Sequence, residues 1–269
     1  MNMSDRTDPK ETGLIPTGNN SLTTRSSGLV RRGLDDLISK QVRIVRFPPN
    51  RSMGKLYLWD KDVTWTEALY LKKGRQCVDA RGTIAVPVEN NVKLEVSEEA
   101  ASDLSSLAAL GAGDLQDLSL GSQVDDAGLL HIRGLIGLKG LFLEGTRISD
   151  AGLPNLRKLT NLESLAFWGT RITDAGLVNL RQLTDLQFLG LFYTRINGTG
   201  LVYLSQLMKL KRLFLWGARL TDAGLKDLRE LTALEWLSLQ STQITETEVD
   251  DLRRALPKCR IDLEETPKS

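Results

Sequence analysis

The sequence predicts an α/β fold: a solenoid of short strand–helix units whose strands stack into one parallel sheet. A unit of 24 residues repeats along the chain, starting at Leu138, Leu162, Leu186, Leu210 and Leu234, and a copy one residue shorter starts at Leu115. Within each unit, alternating apolar residues indicate a strand, and a following run with helical spacing indicates a helix. Because one unit buries its apolar face only against its neighbours, the chain is predicted to extend in one dimension.

The first half of each unit is typical of a short strand. The five full copies begin LKGLFLEGTRI, LESLAFWGTRI, LQFLGLFYTRI, LKRLFLWGARL and LEWLSLQSTQI. Leu165 and Phe167 alternate with Ala166 and Trp168, which places the leucine face inside the solenoid. A column of hydroxyls follows the strands at Thr146, Thr170, Thr194 and Thr242, interrupted by Ala218. We expect these hydroxyls to satisfy backbone groups at the bend after each strand.

The second half of each unit is typical of a short helix. Thr173 and Asp174 indicate a helix start, with the threonine as N-cap and the carboxylate in the first turn. Leu177, Leu180 and Leu183 then line the inner side. With one strand and one helix in every unit, the strands are predicted to stack on the concave side and the helices on the convex side.

Over about residues 115–261, these units resemble leucine-rich repeats of the 24-residue LTDAGLxxLxxLTxLxxLxLxxT type. Such repeats are common in bacterial proteins and are similar in layout to those of F-box leucine-rich proteins. The resemblance implies a right-handed horseshoe and a protein-binding module. Residues 1–97 contain no recognisable F-box, so a role in ubiquitin ligation is not carried over.

The rest of the chain divides around the repeats. Residues 1–28 are polar and without apolar periodicity, which predicts a disordered tail. Residues 29–114 are predicted to form a β-rich cap, with strands near 41–47, 55–60, 83–88 and 91–96 and a tight turn at Glu89 and Asn90. Trp59 and Trp65 are expected in the core of this cap. Ser97 is expected to cap a helix at about 98–110.

The repeat domain is predicted to span 115–263, with six repeats and a terminal strand at 259–261, followed by a frayed tail at 264–269. The net charge of +1 argues against a dedicated nucleic-acid binder. Residues 1–56 carry a charge of +5. That excess fits either a solvated tail and cap or a contact with an acidic partner or membrane surface.

The sequence favours a cytoplasmic protein. Cys77 and Cys259 are the only cysteines and lie far apart in the sequence, so a disulfide is not expected and a reducing compartment is indicated. The chain shows no apolar leader segment and no run of 18 apolar residues, so neither a secretory signal nor a membrane span is predicted.

Catalytic chemistry finds little support in the sequence. His131 is the only histidine and falls in the helical part of the first repeat. No Ser–His–Asp or Cys–His grouping, phosphate loop or metal-ligand spacing is present. On the concave face, the only carboxylates expected are Asp117 and Glu144. The chain is therefore predicted to be non-enzymatic, with no cofactor and no metal.

Positions 3, 5 and 7 of each repeat are expected on the concave face, and seven of these eighteen positions are aromatic. Trp168, Phe192 and Trp216 are predicted to form one column, and Ala166 and Gly190 to floor a shallow apolar depression. Exposed aromatic patches of this kind mark interaction sites. The candidate partner-binding residues are Phe142, Glu144, Trp168, Phe188, Gly190, Phe192, Tyr193, Arg212, Phe214, Trp216 and Trp236.

Three ligands remain open for this face: a protein or peptide, a carbohydrate, or a second copy of the chain. Cover by the chain's own termini is a fourth possibility. Repeat four departs from the others, with Tyr193 where the neighbouring repeats have glycine and Asn197-Gly-Thr-Gly in place of (S/T)DAG. Both function and drift explain that departure.

An arginine column at Arg147, Arg171, Arg195 and Arg219 is accompanied by Asp150, Asp174 and Asp222. It is interpreted either as a surface ladder of alternating charges or as a strip for an acidic ligand. Arg195 lacks an aspartate three residues on, so it is expected to be the least neutralised member.

Overall fold

The computed structural model describes residues 41–60, 76–240 and 242–263. The predicted tails at 1–28 and 264–269, the segment 29–40 and Trp65 lie outside these ranges. The described strands are β1 (Val42–Arg46), β2 (Gly54–Asp60), β3 (Gln76–Asp79), β4 (Thr83–Pro87), β5 (Asn90–Val96), β6 (Asp117–Ser119), β7 (Gly140–Phe142), β8 (Ser164–Ala166), β9 (Phe188–Gly190), β10 (Arg212–Phe214), β11 (Trp236–Ser238) and β12 (Arg260–Asp262).

One long sheet runs through the described chain in the order β12-β11-β10-β9-β8-β7-β6-β5-β2-β3. Neighbours from β5 to β12 are parallel, and β2 and β3 extend the sheet in the antiparallel sense. Strands β7 to β12 begin 24 residues apart. The middle residue of each strand from β6 to β11 is a fully buried leucine, which confirms the predicted leucine face.

The two strands beside the predicted turn at Glu89 and Asn90 belong to different sheets. β4 pairs with β1 in a separate two-stranded sheet, whereas β5 pairs with β2 and β6. Leu94 lies in register beside Leu118 and is fully buried. β5 therefore continues the leucine row of the repeats instead of closing a hairpin with β4. β3 has no counterpart among the predicted strands.

The continuous helix predicted at about 98–110 is wrong. The segment forms two 3₁₀ turns, Ala100–Ser102 and Ser105–Ala109. Asp103 between them has an extended backbone, and its carboxylate accepts a hydrogen bond from the Ser105 N–H at 3.0 Å. Such local side-chain bonds compete with helical backbone bonds. Ser97 keeps its predicted role at the start, because its hydroxyl accepts from the Ala100 N–H at 3.3 Å.

The helical parts of the repeats are mostly 3₁₀ turns, at Gly128–Ile132, Leu153–Leu156, Asp174–Asn179, Leu201–Leu204 and Lys226–Glu230. The described α-helices are α1 (Asp222–Leu225) and α2 (Glu246–Ala255). A 3₁₀ turn rises about 2.0 Å per residue, against about 1.5 Å in an α-helix, so it spans the return path with fewer residues. Leu177, Leu180 and Leu183 are fully buried, as predicted.

The predicted hydroxyl column is present. The Thr146, Thr170 and Thr194 hydroxyls donate to the carbonyls three residues earlier, at 2.8, 3.1 and 2.8 Å. Thr242 makes the same bond to Leu239. Each of these four threonines therefore satisfies a backbone carbonyl at the bend after its strand.

Carboxylates link consecutive repeats at the start of the helical turns. Asp126, Asp150 and Asp222 each accept from the backbone N–H and the hydroxyl of one residue in the next repeat, namely Ser149, Thr173 and Thr245. Thr173 is the N-cap residue of its turn and Asp174 lies in the first turn, as predicted, but the Thr173 side chain makes no capping hydrogen bond. Its hydroxyl is used instead in a charge-assisted bond to Asp150, which is the stronger interaction.

The ladder of alternating arginines and aspartates is also wrong, because the aspartates bond to the next repeat. Arg147 donates to Gln123 Oε1 at 2.7 Å. In the described part of the chain, no ion pair involves Arg147, Arg171, Arg195 or Arg219, and all four are exposed.

Repeat four departs from the others for a packing reason at Gly198. Asp174 accepts from the backbone N–H groups of Asn197, Gly198 and Gly200 at 2.7, 3.0 and 2.7 Å, with no hydroxyl involved. A Cβ on Gly198 would lie 2.7 Å from the Gly224 Cα. An aspartate at position 198 would not fit at this close approach of two backbones.

Candidate functional site

The sheet face opposite the leucines is built from the first and third residues of each short strand. Strand pairing sets these residues side by side along the sheet. One row holds Lys93, Asp117, Gly140, Ser164, Phe188, Arg212, Trp236 and Arg260, and the next holds Glu95, Ser119, Phe142, Ala166, Gly190, Phe214, Ser238 and Asp262. A third row follows the strands at Gly121, Glu144, Trp168, Phe192, Trp216 and Gln240. We call these three rows the variable face.

Seven aromatic side chains gather on one half of the variable face. We call this group the aromatic patch; it comprises Trp168, Phe188, Phe192, Tyr193, Phe214, Trp216 and Trp236. Phe214 lies at its centre, with ring centroids 5.5 Å from Phe188, 5.3 Å from Phe192 and 5.1 Å from Trp236. The contact with Phe192 is stacked and the contact with Trp236 is edge-on, which are the two favourable arrangements for aromatic rings.

In the predicted column of Trp168, Phe192 and Trp216, Trp168 lies 6.4 Å from Phe192. The Phe192 ring also stacks on Phe214. Trp216 contacts Tyr193 at 5.5 Å. This pairing depends on Gly217, because a Cβ there would lie 2.4 Å from the Tyr193 ring.

The predicted depression floored by Ala166 and Gly190 is covered by rings. A Cβ on Gly190 would lie 2.7 Å from the Phe192 ring and 3.4 Å from the Phe188 ring. Ala166 is only 3% exposed. Gly190 therefore contributes to the face by making room for two phenylalanines.

The aromatic patch remains partly open to solvent. Trp168 is 51% exposed and Tyr193 is 48% exposed, and the other five rings are half-buried. Arg212 lies over Phe188 at 5.9 Å and Arg260 lies over Trp236 at 5.1 Å. The Trp236 Nε1–H also donates to Asp262 at 2.8 Å. At one end of the patch, Trp236 is held by its contacts with Asp262 and Arg260. Trp168 and Tyr193 are the most exposed rings.

Tyr193 has the only positive φ, 49°, among the described non-glycine residues. Equivalent positions in three other repeats are Gly145, Gly169 and Gly217, with φ of 67°, 67° and 69°. A left-handed conformation costs a non-glycine residue about 1 kcal/mol. The sequence indicated Tyr193 because it replaces the glycine of the neighbouring repeats. Its contact with Trp216 could be seen only in the structure.

The other half of the variable face is polar. The Asp117 carboxylate occupies the space beside Gly140, where a Cβ would lie 1.9 Å from Asp117 Oδ1. Asp117 is 7% exposed. Its pKa is raised to about 6, chiefly by burial and also by nearby Glu163, against the opposing positive charges of Lys93 and Lys139. The sequence placed Asp117 on this face but did not reveal its burial.

Phe142 belongs to the polar half. Its ring receives the Lys93 ammonium at 4.9 Å, and Lys93 also pairs with Glu95 at 3.0 Å. Glu144 is exposed beside it. Lys93 and Glu95 were missed as face residues because the sequence does not show that β5 joins the repeat sheet.

Neither protein-family models nor curated proteins match this chain. Solved structures do match. An internalin, InlF, of Listeria monocytogenes has a TM-score of 0.51 and 24% identity, and the match covers 62% of this chain and 45% of the internalin. The chain has a leucine-rich repeat fold. This likeness supports the architecture alone.

Two further solved structures are similar at lower TM-scores. Internalin C2 of Listeria monocytogenes has a TM-score of 0.49 and 27% identity, covering 60% of this chain and 66% of that one. A leucine-rich repeat protein of Leptospira interrogans has a TM-score of 0.37 and 22% identity, covering 55% and 49%. The leucine-rich repeat chain described here spans less than two thirds of the length of each of the three proteins.

Other chemical features lie away from the aromatic patch. His131 is half-buried in the turn Gly128–Ile132. Cys77 in β3 and Cys259 beside β12 are free thiols near opposite ends of the sheet. Within the described ranges, no group of three or more His, Cys, Asp or Glu side chains is placed to hold a metal ion. No described helix is long and apolar enough to cross a membrane.

Proposed function

We propose that this protein is a non-enzymatic scaffold that binds a protein or peptide through the aromatic patch. The observation that carries the proposal is the exposure of Trp168 and Tyr193 beside five half-buried rings. Isolated exposed apolar residues need no explanation, but a contiguous aromatic group on a face free of packing constraints indicates a binding surface. Tryptophan, tyrosine and arginine are the residues that contribute most binding energy at protein interfaces.

The polar groups around the rings favour a protein ligand over a carbohydrate. Asp262 already accepts from Trp236 at 2.8 Å and from Arg260 at 2.9 Å. Gln240 is 9% exposed, and its Oε1 accepts from the Ser238 hydroxyl at 3.4 Å. A carbohydrate site needs free carboxylates and amides beside its aromatic platform, whereas a protein interface needs an apolar centre with a polar rim.

The same proposal includes a specific architecture. We infer repeats of the 24-residue bacterial type in a right-handed horseshoe, with the sheet concave and the short helical turns convex. The β-rich region before the repeats is the cap of the solenoid, and the repeat domain spans 115–263. The antiparallel extension of the sheet through β2 and β3 supports this role, because a solenoid end exposes an apolar cross-section that must be covered. The two free thiols support a cytoplasmic location.

A double variant, Trp168→Ala with Trp216→Ala, tests the binding role. We expect affinity capture from the source cells to lose the proteins that the wild type retains, while the thermal melt stays largely intact. The loss should exceed a hundredfold in Kd for a purified partner, because two interface tryptophans each contribute about 2 kcal/mol or more. Met208→Ala is the matched control, since Met208 is 54% exposed but lies outside the variable face.

Two results would contradict the proposal. Collapse of the thermal melt in the double variant would show that the rings belong to the folding core. Equal capture by the wild type and the double variant would show that the patch is not the binding surface. A glycan array and mass photometry on the same two proteins identify a carbohydrate ligand or a homodimer, each of which would replace the protein ligand.

A further inference from the structure

A second candidate site lies where strands β5, β6 and β7 begin, away from the aromatic patch. An open cavity of about 370 Å³ is lined by Arg43, Asn91, Gln116, Gly137 and Lys139. Arg43 comes from β1, Asn91 lies near the start of β5, and Gln116 and Lys139 directly precede β6 and β7. We call this cavity the edge pocket. Its volume is in the range of sites that hold small ligands.

The guanidinium of Arg43 is half-buried, and one of its hydrogen-bond donors has no acceptor in the part of the chain that the structure describes. Its Nη2 donates to the Asn90 carbonyl at 3.1 Å and to Gln116 Oε1 at 2.9 Å. Its Nε–H is buried and has no acceptor among the described residues. Burial also lowers the pKa of Arg43 below its ordinary value. Partial burial removes hydration from this charge, so an added negative charge beside the side chain would be stabilising.

The edge pocket presents hydrogen-bond donors. Gln116 Oε1 already accepts from Arg43 Nη2 and from the Val92 N–H, each at 2.9 Å. Its two lone pairs are therefore occupied, and the side-chain amide retains one of its N–H groups, since the other donates to the Gly113 carbonyl at 3.1 Å. The Lys139 ammonium adds further donors. A ligand with acceptors and negative charge complements this lining.

Three carboxylates near the edge pocket are outside its lining, namely Glu163, Asp114 and Asp117, and Asp117 also interacts electrostatically with Lys139. Glu163 pairs with Lys139 at 3.1 Å, but both side chains are largely exposed, at 42% and 57%. Such an exposed pair is weak and opens readily. Asp114 interacts electrostatically with Arg43, while one of its oxygens accepts from the Gly111 N–H at 2.8 Å. We propose that the edge pocket binds a small oxyanion, a phosphate or a carboxylate group, between Arg43 and Lys139.

The full chain, titrated at constant ionic strength with inorganic phosphate and separately with acetate, tests this site. We expect saturable changes in the backbone NMR signals of Gln116 and Gly137. Lys139→Gln should weaken the Kd about tenfold through loss of a charge-assisted bond. Lys211→Gln is the matched control, because Lys211 also precedes a strand and pairs with the next repeat's Glu235 at 3.7 Å. It should change the Kd less than twofold.

A variant with the opposite sign separates a real site from damage to the fold. Glu163→Gln releases Lys139 and should tighten anion binding, whereas Glu235→Gln should leave it unchanged. The anion that binds more tightly identifies the source as phosphate or carboxylate. Absence of saturable changes with both anions, or equal weakening by Lys139→Gln and Lys211→Gln, would overturn the proposal. The Trp168 and Trp216 double variant should bind the anion normally, so this site stands independently of the aromatic patch.

Discussion

The two halves of the variable face share one backbone plan but differ in chemistry. The half on β5 to β7 carries Lys93, Glu95 and Asp117, and the half on β8 to β11 carries the aromatic patch. In each half a glycine makes the arrangement possible: Gly140 leaves room for the Asp117 carboxylate, and Gly190 leaves room for the Phe192 ring. The repeat therefore sets the frame, and small residues decide which side chains lie across it.

The two halves also differ energetically. Rings in the aromatic patch cover one another, so each gains dispersion contacts and loses contact with water. In the polar half, burial removes hydration from Asp117 and Lys93, which are 7% and 6% exposed. Burial of charge is unfavourable unless pairing offsets it. The aromatic half is therefore expected to stabilise the fold more than the polar half does.

The largest difference is expected between Phe214→Ala and Phe142→Ala. Both residues end their strands at the same repeat position, but Phe214 contacts three rings, whereas Phe142 receives the Lys93 ammonium. Phe214→Ala should lower the free energy of unfolding by roughly 3 kcal/mol and Phe142→Ala by roughly 1 kcal/mol. Urea denaturation measures both values. Equal losses would break the energetic contrast between the two halves.

Asp117→Asn is expected to change how stability depends on pH. The folded-state pKa of Asp117 is raised to about 6, against about 4 in the unfolded chain. The folded state therefore binds the Asp117 proton more tightly than the unfolded chain does. The stability that protonated Asp117 contributes is lost as pH rises from about 4 through 6. At pH 8, above both pKa values, ionised Asp117 costs the folded state about 3 kcal/mol.

Denaturant unfolding of wild type and Asp117→Asn at pH 4 and pH 8 measures this effect. The variant should gain stability relative to wild type at pH 8 but not at pH 4. Glu144→Gln, which removes a carboxylate at an exposed position of the same face, is the matched control. A constant offset between wild type and Asp117→Asn across the pH range would show that burial does not perturb this carboxyl.

The smallest effect is expected at the left-handed residue of the aromatic half. Tyr193→Gly and Tyr193→Ala both remove the ring from Trp216, but only alanine retains the unfavourable backbone conformation. The glycine variant should therefore be the more stable of the two by about 1 kcal/mol. Thermal denaturation of both proteins tests this order. If alanine is equally stable, the backbone at 193 relaxes without the ring and carries no strain.

Local patterns that repeat in the sequence were predicted well. The 24-residue period placed the strands and the buried leucines, because a one-dimensional stack forces each unit into the same environment. The threonine column was predictable for the same reason. The sequence did not show which side chains bond to a different repeat. The Thr173 hydroxyl donates to Asp150 instead of capping its own turn, and Arg147 donates to Gln123 instead of pairing with an aspartate.

The candidate site was predicted in composition but not in arrangement. Position within the repeat identified six residues of the aromatic patch, and the loss of the repeat's glycine identified the seventh, Tyr193. The sequence did not show that Phe192 stacks on Phe214, that Tyr193 covers Gly217, or that the rings close over Gly190. Ring orientation depends on the space that neighbouring strands leave. That space cannot be predicted from the sequence of one repeat.

The sequence by itself determined the solenoid. The spacing of the leucines sets which residues of each unit are buried, and neighbouring units share that spacing. Only the tertiary structure decided the chemistry of the variable face. Pairing of β5 with β6 set Lys93 beside Asp117, and Gly140 let the carboxylate be buried. Desolvation and ring stacking depend on atoms a whole repeat apart in sequence but a few ångströms apart in space, so they arise only when the strands are brought side by side.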